Sequence, residues 1–189
     1  MRLLFFAGST REGSFNVRLA KLCRHIAEAN GIEGVFVDLK DYEMPLYNGD
    51  LEKNEGVPKA AQAFKALLGE YDGVLIASPE YNSSVTPLLK NTLDWVSRVS
   101  PGGGDVFKTR VFAMAAASPS YFGGMRSLLN LRQILAVGLR AHVIPQQVVV
   151  PTAMKAFEED GSLKDEMRQK ETANLVEALA IAARKFKAE

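Results

Sequence analysis

LLFFAGSTREGSFNVRLAKLCRHIAEANGIEGVFVDL, residues 3–39, sets the architecture of the whole chain. An apolar run, Leu3–Ala7, is long enough for one buried strand. A polar segment, Gly8–Asn16, follows it, and then Leu19, Leu22, Cys23 and Ile26 recur at helical spacing along one face. A second apolar run begins at Val35. Strand, helix and strand in that order make a βαβ unit, whose strands lie parallel and are joined by a right-handed crossover.

The same alternation continues to the end of the chain. Helical periodicity runs over about Pro58–Gly69, a strand reads GVLIASP from Gly73, and a helix spans Pro87–Arg98. A strand then reads RVFAMAAAS from Arg110, a helix covers Met125–Val137, and RAHVIP, Arg140–Pro145, is the last strand. A C-terminal helix over about Leu163–Phe186 carries Leu175, Val176, Leu179, Ala183 and Phe186 on one side. Apolar strands separated by helices require a sheet covered on both faces. The expected fold class is therefore α/β, a flavodoxin-like three-layer sandwich around a five-stranded parallel sheet; the pattern alone does not derive the strand order, but five strands match the order 2-1-3-4-5 better than the six-stranded dinucleotide fold. At 189 residues the chain has room for a single domain, 1–189. The Gly-rich stretch Ser100–Asp105 reads as an exposed turn.

Composition narrows the function classes. With 23 Lys+Arg against 22 Asp+Glu the net charge is +1, so no long-range field recruits nucleic acid or an anionic membrane. The ligand expected is a small molecule. The single cysteine, Cys23, excludes an intramolecular disulfide and reads as a small core hydrophobe, in keeping with a cytoplasmic protein. The apolar run at the start is too short for a signal-peptide core, and no stretch approaches the ~20 apolar residues of a membrane span. His25 and His142 have no further His or Cys at ligand spacing, so no metal is expected.

In open α/β sheets ligands sit beyond the carboxyl ends of the strands. The loop after the first strand, GSTREGSFN, is neither a Walker loop nor a G-x-G-x-x-G turn. Ser9, Thr10, Ser14 and Asn16 offer hydroxyls and an amide, and Arg11 offers a guanidinium suited to a terminal phosphate monoester. The helix N-terminus behind them favours an anion. Ser14 serves equally as a helix cap, and Arg11 equally as a solvated surface residue.

The loop after the third strand continues as PEYNSSVTPLLKNTLDWVSR, Pro79–Arg98. Pro79, Glu80, Tyr81 and Asn82, followed by Leu89, Lys90, Asn91, Asp94 and Trp95, resemble the P-E-Y-N and L-K-N-x-x-D-W motifs of the NAD(P)H-dependent FMN reductase family, which includes quinone, chromate and azo-dye reductases. The first loop is similar to that family's G-S-x-R-x-x-S-x-N, and Gly123 to Arg126 with Leu131–Arg132 resembles its G-G-x-R segment with a later L-R. One departure is Thr86–Pro87, where many members have Pro then Gly. Thr86 can cap the following helix, with Pro87 at its first position.

The resemblance implies FMN as cofactor and NADPH as reductant, NADH being possible. It places Pro79, Glu80, Tyr81 and Asn82 along the flavin ring, with Ser9, Arg11, Ser14 and Asn16 at its phosphate. Ser118, in the loop after the fourth strand, faces the same crevice and is either a further cofactor contact or a plain turn residue. No catalytic acid or base is implied, because the cofactor carries the redox chemistry. The implied reaction takes hydride from NAD(P)H to FMN and then to a quinone, flavin, metal oxyanion or azo acceptor. The alternative is a flavodoxin-type electron carrier, against which the near-neutral charge argues. The resemblance also implies a homodimer or homotetramer. Asp94 and Trp95 read as structural, Lys90 and Asn91 as loop supports, and Arg126 as either a pocket or an interface cation.

Overall fold

The computed structural model describes residues 1–100 and 105–188; the expected turn at Ser100–Asp105 falls for the most part outside the described residues. Strands β1 (Arg2–Ala7), β2 (Glu33–Val37), β3 (Gly73–Ala77), β4 (Val111–Ala117) and β5 (His142–Val150) form one sheet, in the order β2-β1-β3-β4-β5. Every adjacent pair is parallel. The βαβ reading of residues 3–39 therefore holds, with α1 (Phe15–Ala29) as the first crossover.

Alternation along each strand sends side chains to two cores. Leu3 and Phe5 pack with Leu19, Leu22, Cys23 and the inner face of α6 (Glu166–Ala188). Leu4 and Phe6 pack with Phe64 of α3 (Lys59–Gly69), Leu89 and Leu93 of α4 (Pro87–Arg98) and Leu128 of α5 (Met125–Arg132). Phe5 and Phe6 are both essentially sealed from water, each such burial being worth about 1.5–3 kcal/mol. Burial pushes the Cys23 thiol up to about 12, so it stays neutral as a core side chain.

Three element boundaries differ from the sequence reading. The last strand does not stop at Pro145 but runs on to Val150. Phe112 pairs with Val143 while Met114 pairs with Gln147, so extra residues of β5 bulge out around Pro145. On an edge strand at a bulge the missing proline N–H costs no ladder bond. The C-terminal helix begins at Glu166, because Leu163 is taken by a bridge to Phe157. The fourth-strand helix ends its regular turns at Arg132 and passes into a π-helical turn, Gln133–Gly138. A 3₁₀ turn at Leu39–Tyr42 and a helix α2, Gly49–Glu55, were not legible; α2 buries no residue and has no apolar face to read.

Gly123 and Gly124 lead into α5 with φ of +60° and +92°. A Cβ on Gly124 would stand 2.7 Å from that of Ala116 in β4. Gly124→Ala combines a left-handed backbone with this overlap, and we expect it to cost about 2 kcal/mol. Urea unfolding checks this; an unchanged midpoint would show that α5 shifts freely. Among the described residues, no helix is long and apolar enough to cross a membrane.

Candidate functional site

Because all strands run the same way, the loops leaving β1, β3 and β4 meet at one edge of the sheet. The first loop wraps around the N-terminus of α1. Ser14 is the cap, its hydroxyl accepting the Val17 N–H at 3.4 Å. The amides of Phe15 and Asn16, in the first turn, have no helical carbonyl four residues back. No acidic residue stands in that turn, so the positive end of the helix is uncompensated. Ser9 is nearly buried and its Oγ accepts the Arg11 N–H at 3.2 Å. Arg11 is exposed and folded over the loop, donating to the Glu12 and Gly13 carbonyls at 2.9 and 3.3 Å. Its guanidinium lies 5.9 Å from the Phe15 ring centre.

Asn16 sits differently from its neighbours. It is buried, its Nδ2 donates to the Ala117 carbonyl at 2.8 Å, and its Oδ1 accepts the Ala117 N–H at 2.9 Å. Both ends of the side-chain amide are thus engaged at the carboxyl end of β4, which leaves one amide hydrogen for any other partner. The residue staples the first loop to the fourth-strand loop.

In the third loop Pro79 is buried, while Tyr81 and Asn82 are exposed. Tyr81 and Ser84 exchange two backbone hydrogen bonds of 3.0 Å across Asn82 and Ser83, which hold φ of +49° and +66°. Positive φ at both central residues makes a type I′ turn, for which Asn is among the favoured residues. The Asn130 amide, from α5, fixes it by donating to the Ser83 carbonyl at 3.2 Å. The Glu80 carboxylate, only 5% exposed, grips the Arg126 guanidinium and accepts the Arg126 N–H at 3.1 Å. That contact caps α5 and joins the third loop to the fourth-strand loop. Arg126, open in the sequence reading, is therefore an intramolecular partner of Glu80.

In the fourth-strand loop Ser118 forms a local turn, its Oγ accepting the Ser120 N–H at 3.2 Å, while its own N–H donates to the Val150 carbonyl at 3.1 Å. Beyond it stand Tyr121 and Phe122, both exposed, edge to face at 5.8 Å, with the Arg126 guanidinium 5.2 Å from the Phe122 ring. Two aromatic faces with a fixed cation behind them suit a flat ligand.

Thr86 caps α4 as expected, accepting the Leu89 N–H at 3.2 Å, with Pro87 behind it. It also donates to the Gly8 carbonyl at 2.6 Å. That contact joins residues 78 apart, so no local pattern announces it. The Trp95 indole and the Asn91 amide both donate to the Pro45 carbonyl, at 2.7 and 2.9 Å, so these two residues anchor the segment after β2.

The model of the family described as NADPH-dependent FMN reductase matches residues 1–155. The chain belongs to that family. It is accordingly an oxidoreductase, with FMN as cofactor and a reduced nicotinamide dinucleotide as electron source. It is 37% identical over 185 residues to an NAD(P)H:quinone oxidoreductase of Solanum tuberosum, covering 95% of this chain and 91% of that protein. It is 32% identical over 191 residues to an NAD(P)H-dependent FMN reductase of Pseudomonas aeruginosa, covering 99% and 97%. Among solved structures it is similar to the flavoenzyme NAD(P)H:(acceptor) oxidoreductase from Paracoccus denitrificans, with a TM-score of 0.79, 26% identity and 98% of both chains covered.

Proposed function

We propose that this chain, as one FMN-binding domain over residues 1–189, oxidises NAD(P)H and reduces quinones, with free flavin, metal oxyanions and azo compounds as further acceptors. The observation that carries the reading is the first loop: hydroxyls and first-turn amides stand at a helix end that bears no carboxylate in its first turn, and the Arg11 guanidinium rests on the carbonyls of the same loop. That donor set fits a phosphate monoester. Ser9, Ser14 and Arg11 would hold it, Arg11 by swinging off the carbonyls of its own loop. Pro79, Tyr81 and Asn82 would line the ring and Ser118 its far edge, with Asn16 and Glu80 fixing the loops that carry them. The chemistry supplied by bound FMN is two-electron transfer from a reduced nicotinamide to an acceptor. The protein's part is to hold one ring face open to flat reactants in turn.

Quinone-dependent oxidation of NADPH by FMN-loaded protein tests the acceptor assignment. Quinone reduction in step with NADPH loss supports it, whereas NADPH oxidation that ignores quinone would reassign the acceptor. The preference for NADPH over NADH rests on the family alone. Assembly is part of the proposal: Met125, Leu129 and Val137 leave an exposed apolar stripe along α5 and the turn after it. Beside them lies a groove of about 620 Å³ lined by Val85, Pro87 and Ile134. A second copy of the chain would cover this face. Sedimentation at micromolar concentration should give at least a dimer; a species of only 20.7 kDa would refute assembly.

A further inference from the structure

We propose that Thr86 is a positioning residue whose hydroxyl locks the phosphate loop to the ring loop, so that the two halves of the flavin site are set at a fixed spacing before flavin arrives. The inference rests on the proposed FMN site. Thr86 is 2% exposed, and its Oγ1 donates to the Gly8 carbonyl at 2.6 Å while accepting the Leu89 N–H at 3.2 Å. The hydroxyl is used in both directions, as donor and as acceptor.

The neighbourhood makes Gly8 the point where the two loops meet. Its N–H donates to the Ala77 carbonyl at the end of β3 at 2.9 Å. A Cβ on it would lie 3.0 Å from Leu89 and 3.3 Å from Pro79. The first turn of α4 and the first residue of the ring loop therefore both press on the first residue of the phosphate loop. Asn16 to Ala117 and Glu80 to Arg126 join the other loop pairs, and the three links close a triangle. On the Thr86 side of that triangle the hydroxyl is the side-chain hydrogen bond, added to the Gly8 to Ala77 backbone bond and the packing of Leu89 and Pro79.

The physical consequence is an effective concentration. A ligand that touches both loops gains the second contact at little further cost only if their spacing is already set. In the proposed site FMN would touch both loops, while riboflavin, which has no phosphate, would engage the ring loop without the phosphate contacts. Removing the hydroxyl should leave each loop able to bind its own part and weaken only the ligand that spans them.

The experiment titrates riboflavin and FMN into the parent protein, Thr86→Val and Thr86→Ser, following flavin fluorescence. Valine keeps the shape and removes the hydroxyl; serine keeps the hydroxyl. Thr86→Val should bind riboflavin as the parent does and FMN about tenfold more weakly, the scale of one hydrogen bond of preorganisation. Thr86→Ser should restore FMN binding. In turnover, Thr86→Val should raise the FMN concentration for half-maximal NADPH oxidation by the same factor and leave kcat at saturating FMN unchanged. Equal weakening of both flavins, or parent-like FMN binding by Thr86→Val, would overturn the proposal. A parent protein that binds no FMN would overturn the reading beneath it, and with it the proposal; the two failures are told apart by which protein shows them.

Discussion

Arg11→Ala should weaken FMN binding about a hundredfold and leave riboflavin binding unchanged, as measured by paired flavin titrations. The size follows from removing charge-assisted hydrogen bonds to a phosphate, each worth about 1.5–3 kcal/mol. The selectivity follows from position. Arg11 is exposed and its guanidinium is bonded to the carbonyls of Glu12 and Gly13 in its own loop, so removing it should leave the fold undisturbed. Both carbonyls belong to exposed residues, where water can take the place of the lost donor. Arg11→Lys would keep the charge without the fork and should recover only part of the affinity. FMN binding by Arg11→Ala equal to that of the parent would remove the guanidinium from the site.

Asn16→Leu should behave in the opposite manner, costing about 3–4 kcal/mol of folding stability whether or not flavin is present. The side chain makes two buried hydrogen bonds to Ala117, and its loss leaves a peptide N–H and a carbonyl unpaired in the interior, at about 1–3 kcal/mol each. Urea unfolding of the ligand-free protein reads this directly. A loss of FMN affinity with an unchanged unfolding midpoint would make Asn16 a phosphate ligand, as the motif resemblance implies, and not a staple.

The contrast between Arg11 and Asn16 shows where a sequence stops being legible. Both stand in the same short polar loop, and both residue types bind phosphate. The difference lies in Ala117, 101 residues away, whose peptide groups take both ends of the Asn16 amide. Glu80 and Arg126 are separated in the same way, 46 residues apart, and only the meeting of two loops reveals the pair. The βαβ alternation, by contrast, depends on neighbours three and four residues apart, and it was enough to make the strands parallel and to bound α4, whereas the order 2-1-3-4-5 came only from matching five strands to a known fold. β5 was cut short because Pro145 reads as a strand end, while the bulge that accommodates it depends on the register with β4. The cap at Thr86 was visible because Pro87 and Leu89 are local; its grip on Gly8 was not.

Three interloop links leave the loops standing as one preformed site, so flavin chemistry should need no rearrangement larger than the movement of Arg11. The most direct measurement is the visible spectrum of the FMN-loaded protein mixed with NADPH in the absence of oxygen. The account predicts that the flavin's visible absorption bleaches and then returns on addition of a quinone. A bound flavin that stays oxidised in the presence of NADPH and NADH alike would contradict it.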